Sequence, residues 1–200
     1  KITNEFYNKG IFQSEQFLNQ IKEFPKFNEN ICLICLDCNL IERFETQYPS
    51  LVRLYINMNK LTYIKPDMIF PVLERLEISK NRLQELPDFS SFAPKLKKID
   101  CSLNFLTTFP IFSSEIVDIN ISGNQLTEIP ESIAELTKLS ILDISSNHIE
   151  SLPALPASIT SLTITSNKIE HIEKCDMPQL KTVYLMKNQL IEPPEFENNQ

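Results

Sequence analysis

Leu139-Ser140-Ile141-Leu142-Asp143-Ile144-Ser145-Ser146-Asn147-His148-Ile149 sets the frame for the whole chain. Apolar side chains stand at places one, four, six and eleven of these eleven residues, and asparagine stands at place nine. The same frame fits 31–41, 51–61, 73–83, 96–106, 116–126, 159–169 and 180–190. Asparagine therefore recurs as Asn39, Asn59, Asn81, Asn104, Asn124, Asn147, Asn167 and Asn188, with starts 20, 22, 23, 20, 23, 20 and 21 residues apart. A period of that size marks stacked repeats, each one supersecondary unit.

Alternate residues of a strand share a face, so places four and six point the same way. They are almost all Leu, Ile or Val, with Cys101 a small apolar filler. One coil of about 20 residues cannot bury such a face alone; neighbouring coils must stack and share a core. The expected fold is an α/β solenoid with a curved parallel sheet on the concave face and extended or short helical-turn segments on the convex face. Eight coils at the strand spacing give a length of about 40 Å. The asparagine side chain carries donors and acceptors, so it is expected to bond its own turn and the next coil, where leucine would leave backbone groups unpaired.

The return segments hold nine to twelve residues, with Pro87, Pro110, Pro130 and Pro153 four residues after place eleven. Proline fixes an extended path and donates nothing to a ladder, so long helices are not expected there. Residues Glu131 to Lys138 fit a short helical turn. With two glycines in 200 residues, tight left-handed turns are not the expected means of bending.

An apolar fraction of 42% in 200 residues suits one elongated domain, and no apolar run approaches a membrane span. A net charge of −7 argues against non-specific binding to nucleic acid or anionic membranes. Cys32, Cys35 and Cys38 have the spacing of a metal run, yet they fall at places two, five and eight of a strand frame. That spacing sends neighbours to opposite faces, so no metal site and no cofactor is expected. Reduced thiols fit a cytoplasmic protein.

Residues 1–30 read as an N-terminal flank or degenerate capping repeat, because 21–31 parallels 106–116 position for position. Counting back puts Asn19 at place nine and Ser14 and Gln16 at places four and six, polar as a terminal coil requires. Alternatively, Ser14 caps a short helix through Gln20. Eight repeats fill 31–193. The tail 194–200 is expected to continue in the native protein or to fold under the last coil.

This pattern resembles the leucine-rich repeats. Residues 126–139 resemble the 23-residue repeats of intracellular Ras-binding and scaffold proteins, adenylyl cyclases and repeat-bearing phosphatases, whereas 152–162 resemble the shorter repeats of bacterial secreted effectors. The resemblance implies a platform for protein partners, in a larger eukaryotic signalling protein with any catalytic domain elsewhere. The alternative is a stand-alone effector or scaffold.

Places three, five, seven and eight face the inner surface. Arg53, Arg75 and Lys98 stack at place three, with Tyr55, Glu77 and Asp100 at place five and Phe105 just past the asparagine; Tyr184 restores bulk in the last coil. Glu77 and Asp100 are expected to offset part of the repulsion among the stacked cations. Arginine with aromatic rings is the composition of binding hot spots, so this stripe is the expected site for an acidic surface of a protein partner. The serines and threonines at place seven are expected to bond laterally. Asp143, Ser146 and His148 lie close in sequence but have no glycine-rich oxyanion element beside them, and no catalytic role is expected.

Overall fold

The computed structural model describes residues 11–13, 20–172 and 175–197. Its strands are β1 (Ile11–Gln13), β2 (Leu33–Cys35), β3 (Arg43–Phe44), β4 (Arg53–Tyr55), β5 (Tyr63–Ile64), β6 (Arg75–Glu77), β7 (Lys98–Asp100), β8 (Asp118–Asn120), β9 (Ile141–Asp143), β10 (Ser161–Thr163), β11 (Cys175–Asp176), β12 (Thr182–Tyr184) and β13 (Phe196–Glu197). Places three to five of every repeat are thus the strand. One nine-stranded parallel sheet runs β1-β2-β4-β6-β7-β8-β9-β10-β12, and the pairs β3-β5 and β11-β13 lie on return segments.

Place four is buried from β2 to β10, in Ile34, Leu54, Leu76, Ile99, Ile119, Leu142 and Leu162, and place six, including Cys101, joins it in one continuous core. Burying each such side chain stabilises the fold by about 1.5–3 kcal/mol. Burial also pushes the Cys101 thiol well above its ordinary pKa, as a filler inside the core requires. Among the described residues, the return side carries a four-residue helix, α1 (Phe89–Phe92), and a five-residue 3-10 helix at Glu131–Glu135, inside the expected turn.

Each asparagine is a fastener, with one difference from expectation. Asn59 Nδ2 donates to Ile56 O and Asn57 O of its own turn and to Leu36 O of the preceding coil, and its Oδ1 accepts the Ile41 amide of that same preceding coil. The pattern recurs at Asn81, Asn104, Asn124 and Asn147. The link therefore runs backwards to the preceding coil, because the asparagine sits beneath the last turn of the coil already laid down.

A second expectation is corrected outright. Every repeat makes a left-handed turn at place eight: Cys38, Met58, Lys80, Leu103, Ser146, Ser166 and Lys187 have φ of 53–58°, and Gly123 has 64°. Scarcity of glycine did not exclude these turns. The amide at place eight donates to the place-seven carbonyl of the next coil, as from Lys80 to Ser102 O at 2.9 Å, and the buried asparagine holds the carbonyls behind it. Together they offset the 1–2 kcal/mol or so that a side chain costs in this conformation. Ser146→Gly is accordingly expected to stabilise the domain by about 0.5–1 kcal/mol, after allowing for the looser unfolded chain. Gly123→Ala is expected to cost about 1 kcal/mol, since its Cβ would sit 2.6 Å from Leu103 Cδ2. Urea unfolding of the two variants checks both signs.

Phenylalanine forms a spine under the return segments. Phe24 stacks on Phe44 at 4.6 Å between centroids, Phe44 meets Phe70 at 5.5 Å and Phe70 meets Phe92 at 5.0 Å. Phe89 links Phe92 to Phe112, and Phe112 meets Phe109. Such ring pairs add about 0.5–1.5 kcal/mol each beyond their buried area.

At the N-terminal end, Ile21 occupies place eleven as read: its amide bonds Asn39 Oδ1 and its carbonyl accepts from Leu40. The strand disagrees with the backward count. Ile11 pairs with Leu33, which is place three, so Phe12 and not Ser14 stands at place four. Two surplus residues must lie between β1 and Ile21. Ser14, Gln16 and Asn19, and most of the alternative helix, lie outside the described residues. At the other end Leu180, Val183, Leu185 and Leu190 are only partly buried, and β13 brings the tail alongside β11.

Candidate functional site

Strand pleating turns places three and five away from the core, and the parallel register sets them in rows. Arg53 pairs with Arg75, Arg75 with Lys98 and Lys98 with Asp118 along place three. Tyr55, Glu77, Asp100 and Asn120 run beside them along place five. Six of the expected binding residues, Arg53, Tyr55, Arg75, Glu77, Lys98 and Asp100, are thus brought together on β4, β6 and β7.

The charges are wired locally. Arg75 is ion-paired with Glu77 two residues along its own strand, its Nε donating to Oε1 at 2.8 Å, and its guanidinium lies 5.6 Å from the centre of the Tyr55 ring. Lys98 pairs with Asp118 on the next strand. Asp100 does not serve as the counter-charge expected for Lys98. Its Oδ1 accepts the Ser102 amide at 3.0 Å, because a short carboxylate at the strand end reaches the turn behind it more readily than the lysine two residues back. Arg53 makes no ion pair among the described residues and is exposed. A half-exposed pair stabilises by about 1 kcal/mol or less, so these contacts orient the cations more than they stabilise the fold.

Phe105 and Tyr184 stand apart from this cluster. Phe105 is at place ten, on the asparagine turn and beyond the strands, whereas Tyr184 is on β12, four strands from β7. Both side chains are exposed. The place-seven residues behave differently from expectation: Ser79 bonds laterally to Asn57 Oδ1 at 2.9 Å, but Ser122 bonds Asn120 in its own coil at 2.7 Å. An asparagine or aspartate at place five is close enough to cap its own turn, and Asp143 does so for the Ser145 amide at 2.9 Å. The Asp143 carboxylate is thereby directed at its own turn, while Ser146 and His148 are exposed on successive outward places.

At the first coils, Asp37 Oδ1 accepts the Asn57 amide at 2.6 Å, and Asn57 in turn donates to Glu77. Burial raises the Asp37 carboxyl above its ordinary value, against the lowering by that amide. A raised carboxyl disfavours folding above its folded pKa, and the penalty fades as pH falls below the unfolded value. Asp37→Asn keeps the acceptor and removes the charge. It is expected to raise the melting temperature relative to the parent at pH 7, with the gap closing towards pH 3. The neighbouring thiols diverge: Cys35 is directed to Asp37 and Cys38 to Met58, 3.6 Å from its sulfur.

The return side held a signal that the eleven-residue frame passed over. Three places after place eleven come Phe24, Phe44, Ile64, Leu86, Phe109, Ile129, Leu152 and Ile172, apolar in every coil before the last, which has Pro193. A frame extended to fourteen places would have found the root of the aromatic spine.

A model of leucine-rich repeats in two copies matches residues 116–157. No curated protein sequence matches the chain significantly. Among solved structures, YopM, a leucine-rich effector protein from Yersinia pestis, is 29% identical with a TM-score of 0.72, over 85% of this chain and 47% of that one. YopM from Yersinia enterocolitica is 26% identical with a TM-score of 0.61, over 90% and 49%. The functional domain of InlJ from Listeria monocytogenes shares the fold at 23% identity and a TM-score of 0.65, over 82% and 36%. The chain thus spans half the length, or less, of these structures.

Proposed function

We propose that this leucine-rich-repeat protein uses its strand face as a non-catalytic recognition surface for a protein partner, with β4, β6 and β7 presenting a basic-aromatic stripe to acidic groups. One observation carries the reading: Arg53, Tyr55, Arg75 and Lys98 stand together on rigid strands, none of them needed by the core. Arg53 has no ion-pair partner among the described residues, so an acidic ligand supplies a counter-charge that it lacks. Rigid strands also spare the ordering entropy that a loop-borne site would lose on binding.

In this reading the stripe is part of a larger signalling protein in the cytoplasm of a eukaryotic cell, in line with the likeness of residues 126–139 to the 23-residue repeats of intracellular scaffold proteins. A second reading, a stand-alone effector or scaffold, is favoured by the 29% identity to YopM, itself described as an effector. The length of the native polypeptide separates the two.

The domain, immobilised and exposed to lysate of its source cells, is expected to retain a partner that the triple variant Arg53→Glu, Arg75→Glu, Lys98→Glu loses. A loss of at least about ten-fold in affinity, or roughly 1.4 kcal/mol, is expected. Arg53→Glu alone is the cleaner control, because it breaks no internal pair. Full retention by a folded triple variant, checked by circular dichroism, would move the site off this face.

A further inference from the structure

A second surface lies along the edge where the asparagine turns stack; place eight, expected on the inner surface, belongs here with place ten because its left-handed turn takes it off the strand. Outward places eight and ten alternate with the buried asparagine and the place-eleven core residue. Their amides bond across coils, place eight to the next coil and place ten to the preceding one, so each row runs in register along the solenoid. The side chains meet from coil to coil: Cys38 touches Met58, and Leu103 lies over Gly123.

These sixteen positions hold five Lys or Arg and no Asp or Glu, in a chain with 26 acidic and 19 basic residues. In the second to fourth coils the strip is also apolar. Met58 is 49% exposed, Leu103 50% and Phe105 47%. Lys80 and Arg82 are exposed between them and, with Lys60, make no ion pair among the described residues. Unlike Arg75 and Lys98 on the strand face, these cations give up no internal partner on binding.

We infer that this edge docks a short, extended acidic segment of a partner protein. The order along the solenoid is apolar at Met58, cationic at Lys80 and Arg82, and apolar at Leu103 and Phe105. Two coil steps span about 10 Å; a peptide in the extended polyproline-II conformation rises about 3.1 Å per residue with three residues per turn, so its first and fourth side chains share a face about 9 Å apart and the two between them flank it. The fitting segment is therefore apolar-acidic-acidic-apolar: its outer side chains cover Met58 and the Leu103–Phe105 pair, and its carboxylates face Lys80 and Arg82. Exposed apolar surface rimmed by one sign of charge is what such a segment complements.

The site is independent of the strand-face reading, and the test separates them. The probe is a fluorescein-labelled peptide Gly-Ser-Leu-Asp-Glu-Phe-Ser-Gly, followed by anisotropy with domain up to about 1 mM, the weak end of useful affinities. Lys80→Glu with Arg82→Glu, and separately Leu103→Ser with Phe105→Ser, are each expected to weaken binding at least about ten-fold. All four positions are exposed, and circular dichroism confirms folding. Arg53→Glu is expected to leave binding unchanged. A peptide with Lys for its Asp and Glu, or with Ser for its Leu and Phe, is expected to bind at least about ten-fold more weakly. Absence of peptide binding overturns the inference, as does equal binding of either control peptide. Binding of phosphatidylserine vesicles or oligo-dT as tight as that of the peptide overturns it in favour of a general anion surface. Loss with Arg53→Glu but not with the edge variants overturns it in favour of the strand face.

Discussion

Asn104→Leu is expected to destabilise the domain by about 3 kcal/mol in urea unfolding, and Asn104→Asp by more, about 3–5 kcal/mol. The three carbonyls that Asn104 serves have other donors. Ile78 O also accepts from Asn81, Cys101 O from Asn124 and Ser102 O from the Lys80 amide. The Leu83 amide has Asn104 Oδ1 as its partner at 3.0 Å, deep in the core. Leucine orphans that donor. Aspartate keeps the acceptor but turns a second oxygen towards the carbonyls of Ile78, Cys101 and Ser102, leaving a buried charge with no counter-ion. Asn188→Leu, at the half-exposed last coil, is expected to cost less than half as much. A neutral Asn104→Leu would show that the register of asparagines does not fasten the turns.

Phe70→Ala is expected to cost about 4 kcal/mol, and Phe70→Leu roughly 1–2 kcal/mol. Phe70 is fully buried and joins Phe44 to Phe92, so its loss opens a cavity in the middle of the spine and parts two coils. The Phe70 amide bonds Phe92 O at 2.7 Å, which holds the backbone in place and limits collapse into the void. Phe109, partly exposed at the end of the spine, is expected to cost about half as much on truncation to alanine. Denaturant midpoints for the three variants rank them directly.

The strands, their register and the buried asparagines were legible because a two-residue alternation and a fixed polar place leave little freedom once coils stack. Four features were not. Glycine content does not foretell the left-handed turn at place eight, because the asparagine beside it and the amide bond to the next coil are what hold the conformation. The two-residue surplus before Ile21 escaped because the match between 21–31 and 106–116 fixes only the return segment, and register in a strand is fixed by its neighbour. On the binding face, residue type and row were readable, but pairing was not. Lys98 could reach either Asp100 or Asp118, and the choice rests on how far a carboxylate extends towards its own turn. Phe105 is close to the stripe in sequence, but the turn carries it beyond the strands.

The backward reach of the asparagines gives the stack a direction in time. Leu83 has no acceptor for its amide until Asn104 arrives, 21 residues later, and the other coils wait in the same way for their successors. As the chain leaves the ribosome, each coil stays one repeat short of completion until the next has been synthesised. The growing end therefore carries donors at places six, eight and eleven whose protein acceptors all lie on the coil still to come.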